Sequence, residues 1–443
     1  MRLPAVRRAL GRTVGTSLAV GALLLSSTGL ASADNPATPG DFTGYGFDQC
    51  TAPSQSAMDA WWKSSPYWAV GIYISGDSRG CRSQPNLTSS WVSTQLAHGW
   101  RLLPITLGPQ ASCNPRFPRY GTDKRIDPSS AHTYRAARRQ GRAEADTTVS
   151  VARSLGIVAG STLWYDLEAY DTGNSACRES ALYFTSSWTR RLHKLDYVSG
   201  VYSSAASGIK ALDDARVDRP GTFKLPDQIW IADWNHNADT SSSYIRSSGW
   251  LPGGRMKQYY GGHNETYGGV TINIDQDWLD LGKGSTAGSA PDHCGGVHLS
   301  YTSYPTLNPG DVEPQTSALQ CLLKEQGYYG GPVNGDYDAA TQDAVRTLRD
   351  HRRMSDGDAA GPGVWTSLLS FGRGRLVKYG AAGERVRDLQ RALNAAVDSG
   401  LTVSGVFQSS TVTAVKRYQS RRGLSQTGVV TRHVWKLLKK GRT

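Results

Sequence analysis

The chain has 443 residues and a formal net charge of +12 at pH 7. This length excludes a single ordinary domain and predicts two or three. The apolar content of 38% is ordinary, and it allows a sizeable core in the first two thirds of the chain.

The first 33 residues predict a signal peptide. A basic segment with Arg7 and Arg8 precedes the apolar stretch Thr13–Leu30, and Ala31–Ala33 is an A-x-A cleavage site. Cleavage is expected after Ala33, by either the general or the twin-arginine export route. No other stretch approaches the length of a membrane span. We therefore expect a mature protein that is monomeric and either secreted to the extracellular space or associated with the cell wall.

Six cysteines in an exported chain suggest disulfides. No cysteine pair has C-x-x-C spacing, and the nine histidines are scattered without ligand spacing, so we expect neither a metal site nor a cofactor. Sequence alone leaves the connectivity open. The pairing that we favour is Cys50–Cys81, Cys113–Cys177 and Cys294–Cys321.

From Tyr45 onward, short apolar strands alternate with helical segments. The predicted strands are Tyr45–Asp48, Trp68–Ser75, Arg101–Leu107, Thr162–Glu168, Tyr197–Ser203, Gln228–Asp233, Met256–Tyr260 and Thr271–Trp278. The predicted helices are Gln55–Lys63, Ser89–His98, Ala131–Leu155, Cys177–Leu192 and Ala205–Ala215. Such alternation predicts an α/β fold with parallel strands and crossover helices, and eight strands favour a (β/α)8 TIM-like barrel over residues 41–282. An open doubly wound sheet is the alternative, although no G-x-G-x-x-G follows a strand.

The fourth predicted strand ends in two carboxylates, Asp166 and Glu168. Because strand side chains alternate, both acids share one face with Trp164, and two residues of rise place them about 6.6 Å apart. Like charges at that distance separate the two pKa values, so one group can stay protonated while the other is ionised. That is the chemistry of glycosidic bond cleavage. A purely structural role, with the acids capping a loop or pairing with arginines, is the alternative.

Active sites of such barrels lie at the carboxyl ends of the strands, and other acids fall there. Asp48 ends the first strand, Asp233 ends the sixth, and Asp275 and Asp277 lie on the eighth. Aromatic rings can stack on the apolar faces of sugars, but they also fill cores. The aromatic residues near these acids are Tyr73, Trp164, Trp234, Tyr259, Tyr260 and Trp278.

Residues from about Tyr45 to Gly282 resemble the glycoside hydrolase-like domain of unknown function 1906, which is similar to the glycoside hydrolase family 25 lysozymes. The motifs that carry the resemblance are Gly46–Asp48, Tyr165–Glu168, Trp230–Trp234, Gln258–Tyr259 and Ile274–Asp275. The segment Gln110–Asp127 is an insertion relative to the lysozyme pattern.

The resemblance implies roles for individual residues. Glu168 would be the general acid, Asp166 would position the sugar or stabilise the transition state, and Asp48 and Asp275 would line the same cleft. The substrate-binding residues that it implies are Asp233, Trp164, Tyr73, Gln258, Tyr259 and Trp234.

Behind the barrel, residues 283–309 are expected to form a linker and a connector clamped by a disulfide, with a flexible Gly- and Ser-rich part in Gly282–Pro291. An internal repeat follows at a constant offset of seventy residues, over 310–371 and 375–441, and it pairs Trp365 with Trp435. Each unit is predicted to be a small all-α module of three helices. The repeats resemble the type 1 peptidoglycan-binding module, and the resemblance implies the binding function.

Charge separates the two repeats. Arg375–Thr443 has 14 Lys and Arg residues against 3 acids, a net charge of +11, whereas 310–369 has a net charge of −4. Export argues against nucleic acid, so peptidoglycan or another anionic cell-wall polymer is the expected partner. A basic surface that is merely solvated is the alternative.

Three functions remain in competition. The first is a secreted hydrolase that cuts glycosidic bonds in peptidoglycan while the repeats hold it on the wall. The second is a non-catalytic cell-wall binding protein with a degenerate barrel. The third is an enzyme that acts on another wall or capsule polysaccharide. The pair Asp166 and Glu168 discriminates the first from the second.

Overall fold

The computed structural model describes residues 35–121, 123–246 and 248–443. The predicted signal peptide, residues 1–33, lies outside these ranges. Within them, no helix has both the length and the apolar character needed to cross a membrane.

Eight strands close into a barrel in sequence order, which confirms the predicted TIM-like architecture. From β1 to β7, each strand runs parallel to the next one in sequence. The carboxyl ends of these strands therefore meet at one end of the barrel, called the mouth here, and their amino ends meet at the base. The strands are β1 Phe42–Asp48, β2 Ala69–Ser75, β3 Arg101–Thr106, β4 Thr162–Asp166, β5 Val198–Ser204, β6 Gln228–Ala232, β7 Gly254–Tyr267 and β8 Val270–Leu281.

The last strand departs from the parallel pattern expected for every strand. β8 runs antiparallel to both β7 and β1. The reason is the two-residue connection Gly268-Gly269, in which both residues have positive φ, 59° and 80°. Two glycines of this kind make a tight hairpin, whereas a parallel crossover needs a dozen or more residues.

Helices cover the outside of the strands, and two apolar layers hold the barrel together. Phe47, Trp61 and Tyr165 belong to the layer between strands and helices, and Trp164 and Trp230 belong to the layer inside the barrel. The helices are α1 Gln55–Ser64, α2 Ser89–His98, α3 Ala131–Ser154, α4 Ser175–His193 and α5 Lys210–Asp218, which a π-helical turn, Ala205–Ile209, precedes.

The C-terminal region folds as two copies of a three-helix unit, as predicted. A buried glutamine recurs in each copy: the amide N–H of Gly335 donates to Gln320 Oε1 over 2.9 Å, and Gly405 donates to Gln390 Oε1 over 2.9 Å. The shared identities therefore serve the fold of each unit. The helices are α6 Pro314–Glu325, α7 Ala339–Arg352, α8 Pro362–Leu369, α9 Glu384–Val397, α10 Ser409–Arg421 and α11 Arg432–Lys439.

The second repeat packs directly on the base of the barrel. Lys378 is 1% exposed and lies over the rings of Trp62, Trp68 and Trp100, at 4.4, 5.2 and 5.1 Å from their centroids. Its Nζ donates to the carbonyl oxygens of Trp62 and Ser65 over 3.1 and 3.2 Å. These contacts tie the repeat and the barrel into one compact unit.

The segment that composition predicted to be flexible also has defined contacts. Ser285 Oγ accepts from the amide N–H of Thr43 and donates to its carbonyl, each over 3.1 Å. Arg387 of α9 donates to the carbonyl oxygen of Gly288. The Ser285 hydroxyl thus fixes this Gly- and Ser-rich stretch against β1, and the Gly288 carbonyl oxygen fixes it against the second repeat.

All three favoured disulfides are confirmed: Cys50–Cys81, Cys113–Cys177 and Cys294–Cys321 are bonded. The proposed domain boundaries stay predictions, because residues 35–443 form one compact unit by their contacts.

Candidate active site

The mouth of the barrel holds an open cleft of about 270 Å³. The structure brings Asp48, at the end of β1, opposite Asp275 of β8 in the antiparallel register. Glu168, two residues beyond the last residue of β4, reaches the same cleft. The lining residues that bear on the chemistry are Asp48, Tyr73, Arg119, Glu168 and Asp275.

Asp166 is the most enclosed acid of the predicted pair, with only 2% of its surface exposed. The Tyr73 hydroxyl donates to its Oδ2 over 3.2 Å, whereas its Oδ1 is buried without a partner among the described residues. Burial first, and the nearby Glu168 carboxylate second, raise the pKa of Asp166 well above its usual value. Asp166 therefore favours the protonated form.

Glu168 is half-buried and its carboxyl group faces the cleft. Burial raises its pKa, while the guanidinium groups of Arg119 and Arg116 act in the opposite direction. Gln110 fixes the backbone of the pair: its Nε2 donates to the Asp166 carbonyl oxygen over 2.8 Å, and its Oε1 accepts from the Glu168 amide over 2.8 Å. One fully buried side chain thus sets the spacing of the two acids.

A second cluster is organised by Gln258 on β7. Its Nε2 donates to Asp48 Oδ2 over 2.9 Å and to Asp275 Oδ2 over 3.2 Å. Its Oε1 accepts from the Tyr202 hydroxyl over 3.0 Å and from Trp234 Nε1 over 2.9 Å. The amide therefore bridges two carboxyl groups and orients a tryptophan at the rim.

The two acids of this cluster, Asp48 and Asp275, also have raised pKa values. Burial, and then the charge of Asp275, raise the pKa of Asp48 well above its usual value. Burial raises the pKa of Asp275 as well, but the Gly262 amide and the His263 ring oppose that shift. Of these two acids, Asp275 is therefore the better placed to remain ionised.

Asp277 lies deeper in the barrel and is fully buried. Trp230 Nε1 donates to its Oδ1 over 2.9 Å, and its Oδ2 has no partner in the part of the chain that the structure describes. Burial, and then the charges of Asp48 and Asp275, raise the pKa of Asp277 well above its usual value. Asp277 therefore favours the protonated form.

Trp234 stands at the rim with 60% of its surface exposed. Its ring lies against Gly261, where an added Cβ would come within 2.2 Å of the indole. Because one side of the ring packs on backbone and its Nε1 is held by Gln258, a flat apolar surface remains open to a ligand.

Three of the predicted binding residues lie elsewhere. Trp164 is fully buried and packs edge-on against Trp230 inside the barrel, so it fills the core below the mouth. Tyr259 is buried and lies outside the described lining of the cleft. The Asp233 carboxylate accepts from Ser242 of its own loop over 2.8 Å and lies outside the described lining of the cleft.

The insertion Gln110–Asp127 contains residues that support the acids, and sequence reasoning missed them. The insertion supplies Gln110 and Arg119 to the site, and the bridge from Cys113 to Cys177 anchors it to α4. The signal available was the even cysteine count, which predicts that this segment is tied to the barrel. A loop glutamine that becomes buried has no pattern by which sequence could reveal it.

Among the described residues, one group of three places ligand atoms close enough for a metal ion, namely Cys294, Cys321 and Glu325. Both cysteines are joined to each other in a disulfide, so their sulfur atoms are not available as thiolate ligands.

Comparison with known families agrees with this architecture. Residues 60–279 match the family model described as Rv2525c-like, glycoside hydrolase-like domain. The barrel is thus similar to proteins that carry an Rv2525c-like, glycoside hydrolase-like domain. Residues 312–359 and 382–438 match the model described as "Putative peptidoglycan binding domain", once in each repeat. The resemblance inferred from the sequence is confirmed for both parts.

Solved structures show weaker likeness. The Mycobacterium tuberculosis Tat-secreted protein Rv2525c, in complex with L-tartrate, is 14% identical with a TM-score of 0.35, over 55% of this chain and 98% of that one. A family 25 glycosyl hydrolase from Bacillus anthracis is 14% identical with a TM-score of 0.30, over 54% and 89% of the two chains. An uncharacterized B. stearothermophilus protein is 16% identical with a TM-score of 0.33, over 53% and 95%. No curated protein matches the chain. Activity must therefore be argued from the site.

Proposed function

We propose that the protein is a secreted cell-wall glycoside hydrolase that cleaves peptidoglycan glycan strands by acid/base catalysis with carboxyl groups. The observation that carries the proposal is the half-buried Glu168 in an open cleft whose lining includes Asp48 and Asp275, with Asp166 buried behind the lining residue Tyr73, to which it is hydrogen-bonded. Four acids with raised pKa values in and directly behind one cleft are costly to the fold, and such clusters concentrate at catalytic sites.

The roles follow from protonation. Burial raises the pKa of Glu168 and so favours its protonated form, and its carboxyl group faces the cleft, so Glu168 would protonate the leaving oxygen of the glycosidic bond. Asp275 is the better placed of the bridged acids to stay ionised, so it would stabilise positive charge on the sugar ring. Tyr73 lines the cleft and would contact the substrate, and Asp166 would position it by accepting a hydrogen bond from the Tyr73 hydroxyl.

Localisation at the wall is part of the same proposal. The two peptidoglycan-binding matches support attachment to a cell-wall polymer, and three disulfides support an oxidising compartment outside the cytosol. A hydrolase held at the wall meets its substrate at high local concentration.

The test is Glu168→Gln, which preserves size and removes the proton. Turnover on purified peptidoglycan, followed by mass spectrometry of the released glycan fragments, should fall by about 10² to 10⁴, the usual contribution of a general acid. Glu179→Gln on the outer helix α4 is the matched control and should keep normal turnover. Wild-type turnover in the Glu168→Gln protein would refute the assignment.

A non-catalytic glycan-binding barrel is the second candidate, and one observation favours it. Arg119 and Arg116 lower the proton affinity of Glu168, and an ionised Glu168 can accept hydrogen bonds from sugar hydroxyls but cannot donate a proton. Binding of glycan oligomers by the wild-type chain without any released fragments would select this candidate.

A further inference from the structure

A basic groove runs along the base of the barrel and between the two repeats. It consists of two adjoining cavities of about 500 and 1140 Å³ that share Gly374 and Arg432. The first lies between the repeats, and the second lies between the second repeat and the barrel base. Six of its cations define it here: Arg352, Arg353, Arg373, Arg375, Arg432 and Lys436.

The charge of the basic groove is uncompensated. Asp and Glu are absent from the described residues that line either cavity. The ion pairs of the repeats are made by other arginines, and none of the six cations forms one with a described carboxylate. Arg352 Nε is moreover buried without a hydrogen-bond partner in the described ranges. Cations held together without counter-charge repel one another, and a bound anion relieves that repulsion.

Lys439 also lines the first cavity, beside these cations. Burial first, and then the charges of Arg385 and Arg352, lower its pKa. The Nζ of Lys439 donates to the carbonyl oxygen of Gly372, and its own carbonyl accepts from Ser367 Oγ over 2.7 Å. The lysine therefore stays fixed between the two repeats.

The walls of the groove are held in place. Lys378, in its cage of three tryptophans, joins the second repeat to the barrel base, and Ser367 joins α8 of the first repeat to α11 of the second. The six cations therefore lie along one groove of fixed shape, because the repeats that carry them do not move independently. A linear polymer with regularly spaced negative charges complements such a groove.

We propose that the basic groove binds an anionic glycopolymer whose units are linked by phosphodiesters. Arginine forks fit phosphate oxygens with two parallel hydrogen bonds, and the six cations that define the groove are five arginines and a lysine. The proposal rests on the cell-wall localisation argued above, and it adds a second ligand to the glycan at the mouth.

Two features favour this polymer over nucleic acid. Single-stranded nucleic acid is held by bases that stack on free aromatic rings. The two tryptophans in the groove, Trp62 and Trp68, contact each other edge-to-face and are engaged by Lys378. Trp435, in the other cavity, is 1% exposed. The groove thus offers charge without a stacking platform.

The experiment uses the mature full-length chain carrying Glu168→Gln and poly(glycerol phosphate) as the probe. Calorimetric titrations across a salt series give the affinity and its salt dependence. In this background Arg432→Gln with Lys436→Gln should weaken binding at least tenfold and lower the slope of log K against log salt by roughly two, one for each cation. Both side chains are exposed on the same face of α11, so the fold should be unaffected.

The matched control is Arg417→Gln with Arg421→Gln, which removes two exposed cations of the same repeat from α10. The control pair should retain affinity. Equal losses in the two pairs would overturn the groove as the site, and tighter binding of single-stranded DNA at equal phosphate concentration would overturn the occupant. Polymer binding by a chain whose wild-type form releases no glycan fragments would refute only the hydrolase.

Discussion

Trp234 offers the sharpest test of how the cleft holds a glycan. The indole is 60% exposed, so truncation to alanine removes a surface without opening a cavity in the core. If a tryptophan side chain has about 250 Å² of surface, roughly 150 Å² of Trp234 is exposed, and a sugar ring on its open face would cover about half of that. At about 25 cal/mol per Å², the contact contributes roughly 1.9 kcal/mol, which corresponds to about 20-fold in Kd.

The assay is a titration of the Glu168→Gln chain with a peptidoglycan-derived glycan oligomer, with and without Trp234→Ala. Catalysis is removed from the comparison, so the change in Kd reports binding alone. Gly261→Ala is a second route to the same result, because its Cβ would displace the ring by steric contact while leaving the indole in the chain.

Phe371→Ala is the control, because Phe371 is also an exposed aromatic side chain, at 55%, and lies in the connection between the repeats. It should leave Kd unchanged. A Kd for Trp234→Ala within twofold of the Glu168→Gln parent would refute the role of this ring as a sugar platform.

Two further predictions concern the buried polar groups of the site. Gln110→Ala leaves two buried backbone groups of the acid pair unpaired, so it should lower the free energy of unfolding by roughly 2 to 4 kcal/mol in denaturant titrations and reduce turnover. The control is Gln140→Ala, which also removes a bridge between two backbone groups of the insertion but should leave turnover intact. Equal effects of the two substitutions on turnover would contradict the positioning role of Gln110. Asp277 has a raised pKa, so its contribution to stability is present below about pH 4 and is lost as pH rises through the folded-state pKa. Asp277→Asn should therefore raise Tm by roughly 2 °C or more at neutral pH and by almost nothing near pH 3, and a gain of the same size at both pH values would contradict this linkage.

Most of the fold could be predicted because its periodic signals are strong. The alternation of apolar strands with helical segments gave the order of the barrel elements, and helix α2 was predicted with its observed bounds, Ser89–His98. The antiparallel course of β8 was not predicted, although Gly268-Gly269 between two strands is a hairpin signal. The expectation of a uniform α/β repeat took precedence over that local turn.

The candidate site was predicted less completely, for a different reason. Alternation along β4 assigns Trp164 and Asp166 to the same inward face, but it does not give depth within the barrel. Asp166 ends the strand at the mouth, whereas Trp164 lies one layer below and packs in the core. Depth depends on where the neighbouring strands end, and the supporting contacts of Gln110 depend on how a long insertion folds back. Both are tertiary facts that a linear pattern does not contain.

The attachment of the second repeat changes how its binding function must be understood. A binding module on a flexible linker raises the effective concentration of its partner domain near the ligand but leaves the orientation of that domain free. A module that packs on its partner domain also fixes the orientation of that domain relative to the bound ligand. Because Lys378 and its neighbours hold the repeat on the barrel base, the basic groove and the cleft at the mouth lie at opposite ends of the barrel. A polymer bound in the groove would therefore leave the mouth unobstructed and facing away from it. If both proposals hold, the chain would bind one wall polymer at its base while it cleaves another at its mouth, and the distance between the two would be set by the height of the barrel.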